Sequence, residues 1–306
     1  MATERLTRRR ALGLLAAAAG LPLVLRATRA TAEVVTWRGR ALGAPATLVL
    51  HHPDRPTAER LVAACAAELE RLEGILSLYR ADSALSELNR TGALAAPPPE
   101  LVTVLDDCRS FHARTAGGFD PTVQPLWRLY AEHFQSGGSE RGPAPAALAA
   151  ARAKVGLDAV LASPERIAFA RPGMALTLNG IGQGWITDRI VDLLRAAGVT
   201  STLVDMGEIR GVGGPWRVGI ADSSETLALT DRAIATSAPQ GFAFDPAGRF
   251  THIIDPRTGA TPARYVRVTV TAPTAAKADA LSTGFSLMNA AAIPELPGVG
   301  VDLVRL

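Results

Sequence analysis

The pattern of apolar and polar positions predicts helices and strands along most of the chain. Residues 35–51 alternate as expected for two strands joined by a turn at 43–45. From Pro56 to Leu76, apolar side chains recur at intervals of four, four, three and four residues, which is one face of a helix. The same reasoning predicts helices at 101–116, 146–155, 183–197 and about 275–290, and strands at 167–170, 175–178, 202–206, 216–220, 227–235, 251–254, 265–272 and near Val304.

The order of these elements predicts an α+β protein, because helices and strands are mixed without strict βαβ alternation. We expect a single compact domain with mixed or antiparallel sheets and flanking helices, and the order leaves a division into two lobes open. The chain has 306 residues, of which 48% are hydrophobic and 20% charged, so global disorder is excluded.

The first 32 residues have the pattern of an export signal. The pair Arg8-Arg9 precedes an apolar stretch from Ala11 to Leu25, and residues 30–32 read A-T-A, a small-residue cleavage site. The alternative is a membrane anchor, but fifteen residues fall short of the roughly 20 that a spanning helix needs. We therefore predict a twin-arginine signal at 1–32 and a periplasmic domain at 33–306, with no lipid anchor because no cysteine follows the stretch.

The positive charge of the chain resides in that signal. Residues 1–32 hold six arginines against one glutamate, so a whole-chain charge of +3 leaves −2 for residues 33–306. A nucleic-acid-binding protein keeps its basic surface in the folded domain. We therefore expect no nucleic-acid partner.

Two cysteines, Cys65 and Cys108, both fall on apolar faces of predicted helices. Two interpretations stay open at this point. They are buried free thiols, or they form a disulfide between two packed helices, which an exported protein permits.

A glycine-rich segment, T-L-N-G-I-G-Q-G-W-I-T-D at 177–188, joins a predicted strand to a predicted helix. Glycines at such a junction let backbone N–H groups approach a phosphate, and the helix N-terminus adds a favourable dipole. Its glycines alternate, so it is not the dinucleotide-binding fingerprint. A purely structural turn is the alternative interpretation.

Two further segments carry candidate chemical groups. His252 ends a predicted strand beside the turn at 255–259, which makes it a candidate general base or a structural histidine. Asp279 and Thr283 stand four residues apart on a predicted helix and so face the same way. A carboxylate and a hydroxyl suit Mg²⁺ or Ca²⁺, although two side chains alone leave a metal site incomplete and a capped polar face is the alternative.

An aromatic residue, Tyr79, stands in a polar loop after the helix at 56–76. There it either stacks on a planar ligand or packs into the core. No serine nucleophile elbow is present, and the remaining histidines lack neighbours at metal or triad spacing.

Taken in order, these segments resemble the ApbE family, the FAD:protein FMN transferases. The resemblance spans roughly residues 35–306. It rests on S-L-Y-R-A-D-S-A-L-S-E-L-N at 77–89, G-G-F-D-P-T-V-Q-P-L at 117–126, T-L-N-G-I-G-Q-G-W at 177–185, M-G-E-I at 206–209, A-T-S at 235–237, H-I-I-D-P-R-T-G at 252–259 and A-D-A-L-S-T at 278–283.

The resemblance implies a T-fold-like domain and an Mg²⁺-dependent reaction. FAD is the substrate, its FMN half moves to a Thr or Ser hydroxyl of an acceptor protein, and AMP leaves. The implied acceptor is a subunit of a membrane redox complex. The implied metal ligands are Asp279, Thr283 and the carbonyl of Gly180; the implied catalytic residues are His252 as base and Asp255; the implied FAD contacts are Leu42, Tyr79, Gly118, Phe119, Asp120, Thr177, Asn179, Gln183, Ile253 and Ile254.

Some positions depart from the family pattern. Thr177 stands where the family has Asp and Gln183 where it has Lys or Glu, and further departures are Asn179, Met206 and Glu208. These changes keep two alternatives open, namely an FAD-holding accessory protein that does not transfer, and a hydrolase that converts FAD into FMN and AMP.

Overall fold

A computed structural model describes residues 33–220 and 225–305, so the predicted export signal lies outside the described residues. None of the helices described there is long and apolar enough to cross a membrane. The helices are α1 Arg55–Leu76, α2 Ala84–Thr91, α3 Pro99–Arg114, α4 Gln124–Gln135, α5 Pro145–Arg152, α6 Gly182–Ala196 and α7 Ala275–Phe285. The strands are β1 Glu33–Ala41, β2 Ala44–His52, β3 Ala93–Ala95, β4 Val160–Ala162, β5 Arg166–Phe169, β6 Thr202–Asp205, β7 Ile209–Val212, β8 Trp216–Gly219, β9 Thr226–Leu229, β10 Ala233–Ser237, β11 Tyr265–Ala272 and β12 Gly300–Arg305.

The strands form one large and two small sheets. The large sheet has the order β1-β2-β6-β7-β10-β11-β12, the second has the order β3-β5-β4, and β8 pairs with β9. Every pairing among the described strands is antiparallel. The α+β prediction is therefore confirmed.

One main hydrophobic core joins the large sheet, the second sheet and helices α1, α2, α3, α6 and α7, while smaller clusters hold the β8–β9 pair and helices α4 and α5. The described residues therefore form a single domain around one main core. It contains both cysteines, which are buried and free. Burial raises the pKa of the Cys65 thiol to about 12. The free-thiol prediction is confirmed and the disulfide alternative was wrong.

The crossing of α6 and α7 positions the candidate site. Asp188, on α6, is buried and accepts hydrogen bonds of 2.9 Å from the N–H groups of Ala275 and Ala276 at the start of α7. The same carboxylate forms a 2.6 Å ion pair with Arg210 on β7. Gly184 lets the helices touch, because a Cβ at this position would collide with the Ala275 carbonyl. One buried carboxylate thus joins two helices and the sheet.

Several predicted strands were wrong, and the hydrogen bonds show why. Residues 175–178 form no strand, because Leu176 is held by the Asn89 side chain through bonds of 2.6 and 2.8 Å, and Thr177 N–H donates to the Pro121 carbonyl. The strand predicted at 251–254 is a single bridge between Ala243 and Thr251.

Other boundaries also differ. The strand predicted at 227–235 is split into β9 and β10 by a sharp turn at Asp231, whose φ is 49°. The last helix ends at Phe285 instead of about residue 290. Helices α2 and α4, with strands β3, β4 and β7, were not predicted, since they are too short or too interrupted by proline to show a period.

We predict that replacing Asp188 with Ala lowers the free energy of unfolding by about 3–5 kcal/mol, because it leaves the buried Arg210 guanidinium without a counter-charge. Two N–H groups of α7 would also lose their acceptor. Denaturant unfolding monitored by circular dichroism measures the effect.

The control is Asp192→Ala on the same helix, which removes an exposed ion pair with Arg189. We expect it to cost less than about 1 kcal/mol. Equal effects of the two substitutions would contradict a structural role for the buried pair.

Candidate active site

The predicted metal ligands come together where the glycine loop before α6 meets α7. A Cβ on Gly180 would lie 3.0 Å from the Thr283 hydroxyl oxygen, so the loop backbone runs directly against that side chain. Asp279 lies one turn earlier on α7, as the spacing predicts, and accepts a 3.1 Å hydrogen bond from Gly184 N–H. The Thr283 hydroxyl and the Asp279 carboxylate therefore both contact the segment 180–184.

The environment of Asp279 fits a divalent cation. Its carboxyl group is buried, and burial, with a smaller contribution from nearby Asp188, raises its pKa to about 7. The Gly184 N–H is the one hydrogen-bond donor recorded for it among the described residues. A buried carboxylate so poor in positive charge gains stability from a cation with hard oxygen ligands.

A second carboxylate, Glu208, was noted in the sequence only as a departure from the family pattern. It lies in the turn between β6 and β7, and burial followed by repulsion from Asp279 and Asp205 raises its pKa well above the ordinary value. Its backbone carbonyl accepts a 2.9 Å hydrogen bond from Thr187 on α6. The hairpin of β6 and β7 is local, but packing of its turn against α6 brings Glu208 here, so no local motif could have shown its position.

The predicted flavin contacts surround the glycine loop. The Tyr79 hydroxyl accepts a 3.2 Å hydrogen bond from the exposed Asn179 amide. The Tyr79 ring also covers Gly43, where a Cβ would lie 3.2 Å away. Leu42, whose φ is 47°, packs on Gly182, since a Cβ on that glycine would lie 2.8 Å from a methyl carbon of the leucine. Tyr79 is thus partly buried beside the loop. It packs against neighbouring residues and is still partly accessible to a planar ligand.

Two of the departures from the family pattern are accommodated in this loop. The Thr177 hydroxyl accepts a 3.2 Å hydrogen bond from Asn179 N–H, which closes a local turn. Gln183 donates to the Ala41 carbonyl at 3.4 Å and packs against Gly207. Uncharged side chains therefore support the loop through hydrogen bonds.

The segment 118–120 lines the opposite side of the loop. Gly118 packs on α7, since a Cβ there would lie 2.8 Å from the Gly284 carbonyl oxygen. The buried Phe119 ring reaches Gly180, and Asp120 accepts hydrogen bonds from the N–H and hydroxyl of Thr122 at 2.8 and 2.6 Å. Phe119 therefore lies at the metal ligands, while Asp120 is engaged in its own turn.

A chain of contacts through β10 and the turn after it connects the base candidate, His252, to Thr283. Ser237 at the end of β10 lies 3.4 Å from the Thr283 hydroxyl, and the turn that follows at 239–241 packs against the His252 ring. Nδ1 of His252 lies 3.1 Å from the Phe242 carbonyl oxygen, so that nitrogen carries the proton and Nε2 keeps a lone pair. Burial lowers the pKa of His252, against the effect of the Phe242 and Pro239 carbonyls. The ring is therefore neutral at pH 7.

The second predicted catalytic residue, Asp255, is held by Arg257. Its two oxygens accept hydrogen bonds of 2.8 Å from Nε and Nη2 of that guanidinium, and this ion pair helps to hold the pKa of Asp255 below its usual value. Arg257 also donates to the carbonyls of Ala116 and Leu287. These contacts support a role for Asp255 in shaping the His252 turn.

The two isoleucines after His252 are both buried. Ile254 packs with Leu126, Tyr130 and Ala151 of α4 and α5, and so lies in the core that supports the turn. Ile253 is 7% exposed. These two predicted contacts are less accessible than those of the glycine loop.

Known proteins match the chain over most of its length. A model of the ApbE family matches residues 42–298. The chain belongs to the ApbE family.

Among relatives, the FAD:protein FMN transferase of Salmonella typhimurium is 29% identical over 288 residues, 86% of this chain and 81% of that protein. The solved ApbE flavin transferase of Vibrio cholerae is 28% identical with a TM-score of 0.75, covering 90% of this chain and 94% of that one. The flavinyl transferase ApbE of Pseudomonas stutzeri, in an apo form, is 25% identical with a TM-score of 0.74, covering 89% and 95%.

We predict that Mg²⁺ stabilises the protein and that Asp279→Asn removes this effect. A ligand at a hundred times its Kd contributes about 2.7 kcal/mol, and each kcal/mol raises the Tm by about 2–4 °C in a domain of this size. Thermal unfolding with Mg²⁺ and with EDTA measures the difference.

Asp106→Asn, an exposed carboxylate on α3, is the control and should respond to Mg²⁺ like the wild type. An equal Mg²⁺ response of the Asp279 variant would show that the cation binds elsewhere.

We predict that Tyr79→Ala weakens FAD binding by about 1–3 kcal/mol, the range typical of aromatic stacking on a base. Tyr79→Phe keeps the ring and loses only the hydrogen bond to Asn179, so its effect should be smaller. Fluorescence titration with FAD measures both affinities. Unchanged affinity in the alanine variant would assign Tyr79 to packing alone.

Proposed function

We propose that this protein is an Mg²⁺-dependent FAD:protein FMN transferase, which moves the FMN half of FAD onto a Thr or Ser hydroxyl and releases AMP. The chain is a transferase of the ApbE family. The observation that carries the finer proposal is the convergence of Gly180, Asp279 and Thr283 at the start of α6, beside a neutral histidine.

FAD would bind along the glycine loop. The N-terminus of α6 presents the positive end of a helix dipole, which favours phosphate. Tyr79 and Asn179 stand at the outer side of the loop, where a planar ring can be covered by the tyrosine. The pyrophosphate would thus lie inside and the flavin outside.

Asp279, Thr283 and the Gly180 carbonyl would hold Mg²⁺. The bound cation supplies positive charge that offsets the charge on the phosphates during phosphoryl transfer. The protein's own part is to keep the Asp279 carboxylate fixed, through Gly184 N–H, and to keep the loop against Thr283.

His252 would act on the incoming hydroxyl. With Nδ1 bonded to the Phe242 carbonyl, Nε2 accepts the hydroxyl proton while the oxygen bonds to the FMN phosphorus. The bond from that phosphorus to the AMP phosphate oxygen breaks, and AMP carries away the electron pair. Asp255 supports the step by holding the turn through Arg257.

We place the reaction in the periplasm, after export by the twin-arginine signal at 1–32 and without a lipid anchor. The support is the sequence of that segment alone. The acceptor we expect is a subunit of a membrane redox complex with an exposed Thr or Ser. No nucleic acid takes part, in line with the charge of −2 on residues 33–306.

An acceptor assay tests the function. The full-length protein is incubated with FAD, Mg²⁺ and a flavin-acceptor domain with one acceptor threonine, and with the same domain carrying Thr→Val. Fluorescent flavin on the threonine protein alone, with AMP in equal amount, is the expected result. FMN and AMP in the absence of acceptor would indicate the hydrolase, and bound FAD that stays intact would indicate the accessory protein.

We predict that His252→Ala reduces the transfer rate by about 10²–10⁴-fold while FAD binding is retained, because a general base typically contributes that factor. Burial lowers the pKa of His252 below 6.5. The wild-type rate should therefore rise with pH to a midpoint below 6.5 and be level at neutral pH.

His112→Ala is the control histidine. Its Nδ1 lies 3.0 Å from the Phe119 carbonyl oxygen, and it stands on α3 away from Nε2 of His252. The low-pH limb should persist in this variant and disappear in His252→Ala. If the limb persists in both, a group other than His252 accepts the proton.

A further inference from the structure

Beside the candidate active site lies a cavity of about 310 Å³ lined by Leu78, Ser86, Asn89, Arg90 and Arg128, here called the arginine cavity. It lies between α2 and α4, the two helices that the apolar pattern did not predict. None of the roles derived above uses it. Its two arginines are exposed at its wall.

Among the described residues neither arginine has an acidic partner, although each has an acidic residue three or four positions away on its own helix. Glu87 precedes Arg90 by three residues and Glu132 follows Arg128 by four. Within the described parts of the chain, neither guanidinium forms an ion pair or a hydrogen bond with a carboxylate.

Four other helix arginines do pair with an acidic side chain three or four residues away, namely Arg55, Arg71, Arg109 and Arg189. The two cavity arginines instead line a shared space without such a pair among the described residues, in a domain whose own charge is negative.

Helix stability does not explain this pair. Arg90 lies in the last turn of α2, where a cation is favoured by the helix dipole. Arg128 lies one turn into α4, near the end where a cation is not favoured. Two guanidinium groups at one cavity repel each other until an anion enters between them. The two arginines therefore contribute little to the stability of the fold, and a bound anion would relieve their repulsion.

Three contacts connect the cavity to the active site. Leu78 precedes Tyr79 in the chain. The Asn89 side chain holds Leu176, which precedes Thr177 of the glycine loop.

The third contact runs along α4. Trp127, next to Arg128, stacks on Phe242 with ring centroids 6.4 Å apart, and the Phe242 carbonyl binds the His252 ring. The lining of the cavity thus contacts segments that carry Tyr79, the glycine loop and His252.

We infer that the arginine cavity recognises a carboxylate side chain of the acceptor protein, beside the hydroxyl that receives FMN. This inference rests on the proposed function. In the proposed function FAD would place its charged phosphates at the metal ligands and the N-terminus of α6, which would leave the two arginines for the second substrate. Arginine binds a carboxylate in a bidentate manner, which gives orientation as well as affinity.

The test uses two labelled peptides, each with a single threonine, one flanked by aspartates and the other by asparagines. Fluorescence anisotropy gives their Kd on the FAD-loaded, full-length protein. We expect the aspartate peptide to bind more tightly, and each of Arg90→Gln and Arg128→Gln to weaken it about tenfold. The asparagine peptide should bind all variants alike.

The control is Arg55→Gln, an exposed arginine of α1 that is paired with Glu59, and it should leave both peptides unaffected. Arg128→Glu should reverse the preference, binding a lysine-flanked peptide more tightly than the aspartate one. Raising the salt concentration from about 0.1 M to about 1 M should reduce the difference between the aspartate and asparagine peptides, because the Debye length falls from about 10 Å to about 3 Å.

Equal binding of the two peptides by the wild type, or equal binding of the aspartate peptide by wild type and the Arg90→Gln/Arg128→Gln variant, would overturn the inference. A loss of FAD affinity in that variant would also overturn it, since the cavity would then belong to the FAD site. Peptide binding is read without transfer. If the aspartate peptide binds in an arginine-dependent way but no FMN is transferred, the proposed function is rejected, while carboxylate recognition by the arginine cavity is supported.

Discussion

The buried carboxylate of Asp188 is the contact on which the site geometry depends. It receives the first N–H groups of α7 and the Arg210 guanidinium, so the start of one helix, the middle of another and a central strand meet at one point. Because Gly184 allows the helices to touch there, its N–H reaches Asp279. A shift of either helix would separate the Asp279 carboxylate from the loop that runs against Thr283. The ion pair thus acts on the site through position, since neither of its members is among the candidate ligands.

Around this crossing, two carboxyl groups lie beside a loop that is held in place by uncharged side chains. Asp279 and Glu208 lie close together, and burial raises the pKa of both carboxyl groups. Repulsion from Asp188 adds to the shift of Asp279, and repulsion from Asp279 and Asp205 adds to that of Glu208. The loop beside them is held by Thr177 and Gln183, which contribute hydrogen bonds and no charge. The positive charge that such an interior lacks is what a divalent cation brings. The departures from the family pattern therefore alter how the loop is supported while its position against α7 is kept.

The helix at 56–76, the hairpin at 35–51 and the spacing of Asp279 and Thr283 were predictable because each depends on contacts between residues near in sequence. Residues 175–178 and 251–254 looked like strands because they are apolar, yet their backbone groups are satisfied by Asn89 and Phe242 from distant segments. Helix α4 was missed although its one proline, Pro125, lies in its first turn, where proline is tolerated.

By itself, the sequence determined the fold class, the segments that build the site and the pairing of carboxylate with hydroxyl on one helix face, because local spacing and residue chemistry carry that information. The tertiary structure decided which residues of other elements contact these segments. It placed Glu208 beside Asp279, gave both oxygens of Asp255 to Arg257, and brought Arg90 and Arg128 to one cavity. Each of these depends on a contact between elements, or on which of several possible partners a flexible charged side chain takes, and no short-range pattern encodes that choice.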